Sequence, residues 1–342
     1  MNHATSAKTS GNIVCIGGGT GTFVTLKGLK LYPYRLSAIV TMSDSGGSNK
    51  RIRDEFGLLP TSDIRQCFVA LSYENGSGVG LLRKLFMYRF EKGQGISGMT
   101  FGNLFMAALS DILGSQEEAI RQTGKVLRIK GNVIPVSYTE TNLYAQYENG
   151  HVVEEEHLID EPHHDGKLHI QKVYLKPKAK INPDALKAIK EADMIVLGPG
   201  DLYTSLIPNL LVDGVSEAIT QAHGIVVYVV NLMTKLGQTY NFTVHDHVRV
   251  LEKYLKKSLK YCVINTTPLS KQALSVYAKS DEHPVVDDVS GKTYFKAVHA
   301  DVAAGNQIVT KSNSDVLVRS LIRHDSDKLA KTLLSILKGS QV

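Results

Sequence analysis

Gly17, Gly18, Gly19 and Gly21 lie where a short apolar run, Ile13 to Ile16, passes into a helical pattern carried by Phe23, Leu26 and Leu29. Glycine lacks a Cβ, so the backbone can turn sharply there and approach a ligand closely, while the N–H groups opening the next helix remain unpaired. Such a corner attracts anions, phosphates above all, although a purely structural strand-to-helix turn would use the same residues. The run is not a strict G-x-G-x-x-G, because Thr22 takes the last position, and no Lys-Ser/Thr pair follows as a Walker loop requires. A second candidate is Asp44, in Ser43-Asp44-Ser45-Gly46-Gly47-Ser48 at the end of a strand-like stretch over 35–42. An acid at that edge accepts a ribose hydroxyl or holds a hard cation, or it merely shapes a glycine turn. Arg51, Arg53 and Arg65 place forked donors suited to phosphate near these loops.

The elements that would position these groups alternate between strand and helix. Thr61 or Ser62 can cap a helix through Cys67 and Leu71, with Asp63 at its positive end. A helix is expected over 80–91. After a glycine-dense loop, Asn103 reads as the N-cap of another over 104–113, its amide also able to face a ligand. Residues 133–136 resemble a strand, and Asn149-Gly150 between two extended runs is a strong hairpin signal, with a further extended run over 167–175. Regular alternation returns with helices over 182–192, 212–222 and 244–255 and strands over 193–197, 225–231 and 262–266. Short strand-like pieces follow at 285–289, 298–303 and 307–310, then a last helix near Ser326, with Asp325 or Ser326 as cap. The pattern predicts one α/β domain over 11–340: a Rossmann-like, doubly wound, mainly parallel sheet with an antiparallel hairpin insertion at about 130–180. Strand ends rich in Gly, Asn, Ser, Thr and Asp, including Gly200, Asp201 and Thr204, would then meet in one polar crevice.

Composition narrows the function further. The formal charge is +6 and the pI about 9.0, but the lysines are dispersed and no Lys/Arg block with interleaved aromatics occurs. The basicity therefore suits a pocket for phosphorylated metabolites, and no nucleic-acid partner is expected. Cys15, Cys67 and Cys262 each lie in an apolar run without metal-type spacing, which argues against a disulfide scaffold or zinc site. Nothing approaches a membrane span and the start lacks an apolar signal region, so a cytoplasmic protein is expected. His157, His163, His164 and His169 fall in a polar strand-and-loop stretch; His245 and His247, two apart on a helix, point roughly 200° from each other and do not converge on one ion.

Several segments in order carry a family resemblance: GGGTG at 17–21, SDSGGS at 43–48, LPTSDIRQC at 59–67, FGNLF at 101–105, LGPGDLYTSLIPNLL at 197–211, NLMTKLGQT at 231–239, DHV at 246–248 and RHDSDKLA at 323–330. The chain resembles the CofD-like superfamily, most closely its YvcK group, the gluconeogenesis factors. The CofD enzyme is a 2-phospho-L-lactate transferase that moves a phospholactyl group from a guanylylated donor to a deazaflavin, with metal held by acids after the second strand. The YvcK group is associated with cell shape, growth on gluconeogenic carbon and binding of UDP-N-acetylglucosamine. The resemblance implies that Gly18, Gly19, Thr20 and Gly21 take a diphosphate, that Asp44 and Asn103 approach sugar or base hydroxyls, and that Gly200, Asp201 and Thr204 line the same crevice. It further matches Tyr277 and Arg323 to residues needed for UDP-sugar binding, and suggests cell-wall synthesis proteins as partners of a homo-oligomer. The alternative it leaves is a transferase in which Asp44 and Asp63 hold Mg²⁺. Two departures bear on that alternative: Ser45 follows Asp44 where the group has paired aspartates, and Lys235 and Gln238 stand where it has Gln and Glu. Fewer acids and an added lysine suit a phosphorylated ligand held directly. A nicotinamide-dependent dehydrogenase lacks a hydride-transfer acid/base set here, although a bound dinucleotide would fit such a crevice by shape.

Overall fold

The computed structural model describes residues 10–73, 77–305 and 321–340. The described strands are β1 (Asn12–Gly17), β2 (Arg35–Val40), β3 (Asn132–Pro135), β4 (Asn142–Tyr147), β5 (Val152–Glu154), β6 (Ile170–Lys176), β7 (Met194–Leu197), β8 (Ile225–Val229), β9 (Tyr261–Asn265) and β10 (Lys296–Ala300). Seven of them form an all-parallel sheet in the order β10-β9-β8-β7-β1-β2-β3. β1 lies between β2 and β7, pairing Ile13 with Leu36 on one side and with Met194 on the other.

Parallel strands covered on both faces read as near-continuous apolar runs, and the period-2 geometry divides each run between two cores. Ile13, Cys15, Met194 and Val196 face the core closed by α1 (Gly19–Leu29) and the last helix, Ser326–Gly339. Val14, Ile16, Ile195 and Leu197 face the other, closed by helices Pro183–Lys190, Val215–Gln221 and Val244–Leu255. The three cysteines are buried within these layers. No described helix is long and apolar enough to cross a membrane.

The antiparallel part is narrower than the sequence suggested. β3 pairs in parallel with β2 and is the edge of the main sheet, so the separate sheet, ordered β5-β4-β6, covers residues 142–176. Pro135 suits that edge, since proline lacks the N–H a central strand needs, and its carbonyl accepts from the Asn182 side chain at 3.1 Å. The stretch 285–289 makes only an isolated bridge, Val286 to Thr243, and the expected strand at 307–310 lies outside the described residues. Two helices differ more. α2 (Gly47–Phe56) fills what reads as loop, because Ile52 is its only buried apolar residue and no periodic face shows. The helix Phe101–Leu113 starts earlier than expected: Thr100 is the N-cap and its hydroxyl accepts from the Asn103 N–H, which makes Asn103 the third helical residue and not the cap.

Candidate functional site

The sheet winds in opposite directions from β1 and β7, so the loops leaving their carboxyl ends part and open a crevice between them. A cavity of about 810 Å³ occupies this place. Gly18 to Gly21 form one lip, Gly200 and Asp201 the opposite one, and a Cβ on Gly21 would overlap the Pro199 carbonyl, which is why the closest approach falls at a glycine. α1 begins here with Gly18 as its N-cap, with no cap from its own side chains and no acid in its own first turn, so its positive end faces the cavity with the Asp63 carboxyl accepting the Gly19 N–H beside it. α2 repeats this with Gly46, and Gly46, Gly47 and Ser48 line the same space.

The structure brings together on this wall Gly18, Gly19, Thr20, Gly21, Asp44, Asp63, Gly200, Asp201, Thr204, Tyr277 and Arg323. Asn103 is not among them. Fully buried, it donates from its amide to Ser48 at 3.0 Å and Ser62 at 3.3 Å, so it braces the loop behind the wall. Of the three arginines, only Arg65 reaches the cavity. Arg51 pairs with Glu55 and reaches the Gly95 carbonyl, and Arg53 bonds Asn142 at 2.7 Å. Thr204 lines the cleft but its hydroxyl is turned to Asp160 and Gln238, at 3.5 and 3.4 Å. Tyr277 likewise uses its hydroxyl internally, accepting from the Ile322 N–H at 3.3 Å just before Arg323.

Other residues of the wall escaped the sequence reading. Glu156, His157 and Asp160 come from the short helix Glu156–Asp160 that follows the antiparallel hairpin, and they close one side of the cleft. Ser45 ties that helix down, its hydroxyl meeting His157 Nδ1 at 3.0 Å and accepting from the His157 N–H at 3.2 Å. Only tertiary contact places these residues; in the sequence they lie among surface-like acids and histidines. Lys235, a departure from the group's pattern, has two partners: its ammonium bonds Asp160 Oδ1 and Asp201 Oδ2, the latter at 2.8 Å. Asn231 and His324 stand at the far end with Leu232 and Met233.

The acids share a consistent electrostatic setting. Burial raises the Asp44 carboxyl against the lowering pull of the Gly46 N–H and Asn49. Burial and then the charge of Asp44 bring Asp63 up to about 7, although the Gly19 N–H opposes the rise. Glu156 is raised well above the ordinary range by burial and by Asp44, and Asp201 is raised by burial although Lys235 pulls it down. Burial thus favours the protonated form of each of these acids, most plainly Asp63, and weakens the negative charge of the cleft. Burial alone would lower Lys235, but Asp201 and Asp160 hold it protonated.

The fold family implies Mg²⁺ at such a site. Asp44 already accepts at both carboxylate oxygens, from Gly46 and Asn49, and Lys235 stands between Asp160 and Asp201. Among the described residues no three His, Cys, Asp or Glu side chains are grouped to hold a metal ion. The residues present do not form a Mg²⁺ ligand set.

Comparison with known proteins fits this architecture. The family profile described as 2-phospho-L-lactate transferase CofD matches residues 13–307. The gluconeogenesis factor of Bacillus subtilis is 36% identical over 329 residues, 95% of this chain and 98% of its own. That of Listeria innocua is 38% identical over 334 residues, 97% of each. A crystal structure from Bacillus halodurans, described as a member of the UPF0052 family, superposes with a TM-score of 0.84 at 33% identity, covering 96% of this chain and all of the other. With the profile spanning most of the chain and such relatives aligned nearly end to end, this protein belongs to the CofD family, in its gluconeogenesis-factor (YvcK) group.

Proposed function

We propose that this protein binds a nucleotide-sugar, UDP-N-acetylglucosamine, in the β1/β7 cleft and acts as a regulatory protein of the gluconeogenesis-factor type, needed for cell shape during growth on gluconeogenic carbon. One observation carries the reading: the amino end of α1, which has no cap from its own side chains, faces a cavity of about 810 Å³ at the point where the sheet reverses its winding. Such a position suits a diphosphate, and such a volume suits a ligand of this size. The names of the relatives support the regulatory half of the proposal. The partners in this reading are cell-wall synthesis proteins.

A ligand selective for the folded state raises its stability by mass action, about 2.7 kcal/mol at one hundred times Kd. Millimolar UDP-N-acetylglucosamine should therefore raise the Tm by several degrees in a thermal shift experiment. Thr20→Lys, which puts a long side chain into the mouth of the glycine loop, should abolish the shift. An unchanged Tm for the unaltered protein would overturn the proposal.

A second reading, a phosphoryl-type transferase, is favoured by the family profile and by the gathering of Asp44, Asp63 and Glu156. Incubation with a guanylylated phospholactate, a deazaflavin acceptor and Mg²⁺, followed by mass analysis, separates the two. A transferred phospholactyl group would replace the regulatory reading with an enzymatic one.

A further inference from the structure

Lys235 is the only lysine on the wall of the cleft among the described residues, and its position is fixed from two sides. Asp160, on the helix that follows the hairpin, and Asp201, on the loop after β7, both bond its ammonium; the Lys235 side chain remains 24% exposed. An ammonium has three donors, and two are accounted for by these carboxylates. The residue next to Asp201 is Gly200, where a Cβ would come within 3.7 Å of the Gly18 carbonyl oxygen. Lys235, held by Asp201, and the amino end of α1, whose Asp63 feels the charge of Asp201, therefore line the same crevice from its two lips.

We propose that Lys235 is a tethered cation that meets the ligand's diphosphate, held by Asp160 and Asp201 as these carboxylates would hold a divalent ion, so that the cleft binds phosphates without metal. This rests on the phosphate end of the proposed function and is independent of which nucleoside or sugar follows. With Lys235 between them the two carboxylates carry one formal negative charge in place of two, which an anion tolerates better than the bare acids. A lysine donates as a point charge and adapts to either phosphate of a pair.

The test uses the full chain, with inorganic pyrophosphate as the phosphate probe and Mn²⁺ as the cation probe, both by calorimetry, and Mn²⁺ also by electron paramagnetic resonance. The unaltered protein should bind pyrophosphate equally in EDTA and in Mn²⁺, and should take up no stoichiometric Mn²⁺ at the cleft. Lys235→Ala should lose at least tenfold in pyrophosphate affinity in EDTA, acquire a Mn²⁺ site, and regain pyrophosphate binding when that site fills. Lys235→Ala combined with Asp201→Asn removes the uncompensated charge, which guards against a folding failure. It should bind pyrophosphate as poorly as the single variant and should not be rescued by Mn²⁺. Pyrophosphate binding that needs metal in the unaltered protein, an unchanged affinity in the alanine variants, or a loss that Mn²⁺ fails to repair would each overturn the proposal. Pyrophosphate binding through Lys235 together with no response to UDP-N-acetylglucosamine would leave it standing and remove the nucleotide-sugar reading. If the unaltered protein binds neither, both fall.

Discussion

Two cavities of comparable size lie at different places on the same sheet. The crevice between β1 and β7 encloses about 810 Å³; another, of about 540 Å³, runs beside the edge strand β3, between the helices Gln116–Val126 and Pro183–Lys190. Their chemistry separates them. At the rim of the edge cavity Arg121 bonds both Glu117 and Glu118, and none of its described lining residues holds a buried polar side-chain atom without a partner. The crevice is lined by four residues with such atoms: Arg65, Gln66, Asn231 and His324. Burial lowers His324 to about 4, against the raising effect of its bond to the Val230 backbone, so its ring is neutral near pH 7 with Nε2 unused. Unspent hydrogen-bonding capacity, more than volume, separates the two walls, because leaving a buried polar group unpaired costs about 1–3 kcal/mol.

The contrast can be broken most forcefully at Gly21. Gly21→Ala drives a methyl into the Pro199 carbonyl and should separate the two lips or unfold the domain, a loss of about 3 kcal/mol or more on a denaturant curve. A variant of ordinary stability that still binds nucleotide would show that the lips need not touch.

Asp63 offers the next largest effect. Its carboxyl accepts the Gly19 N–H that a phosphate would seek, so Asp63→Asn should tighten diphosphate binding in EDTA by about tenfold, roughly 1.4 kcal/mol. Weakened binding would instead favour metal held by that carboxylate. The same variant has a pH signature. Asp63 rises from an ordinary value of 3.8 to about 7 in the folded chain, so the folded state keeps a proton that the unfolded state releases. Stability from this group is greatest below the unfolded value and declines as pH climbs to about 7. The Tm gain of Asp63→Asn should therefore be larger at pH 8 than at pH 5.

Tyr277 sharpens the comparison at the far end of the cleft. Its hydroxyl is spent on Ile322, so Tyr277→Phe should cost about 1 kcal/mol by loosening the backbone that presents Arg323 and His324, with several-fold weaker UDP-N-acetylglucosamine binding by calorimetry. An unchanged affinity would place the ring alone in contact with ligand. The smallest effect belongs to the edge cavity. Arg128 lines it in a left-handed conformation, φ 49°, and Arg128→Gly should raise stability by about 1 kcal/mol while ligand affinity stays the same. A change in affinity would mean that the two cavities communicate.

What the sequence disclosed follows from what is local. The glycine corner, the buried strands and the Asn182-Pro183 and Asp325 helix entries depend on neighbours along the chain, and they stand where the pattern puts them. α2 was illegible because a helix with one buried apolar residue has no periodic face. Asn103 misled because a cap and a third helical residue are both plausible after a glycine-rich loop, and only the Thr100 hydroxyl decides between them. Glu156, His157 and Asp160 carried no signal, since their place in the wall comes from the docking of the antiparallel layer through Ser45 and His157. Lys235 could be seen as an oddity in a motif, but its two partners lie 75 and 34 residues away.

β1 has as its neighbours a strand that follows within about twenty residues and one that arrives only near residue 194. A growing polypeptide can therefore assemble the first lip early, but the opposite lip has to wait for the middle of the sequence and the far end for residues beyond 320. The complete cleft is therefore among the last parts such a chain can close during synthesis, and fragments that fold without their final segments would lack its far wall.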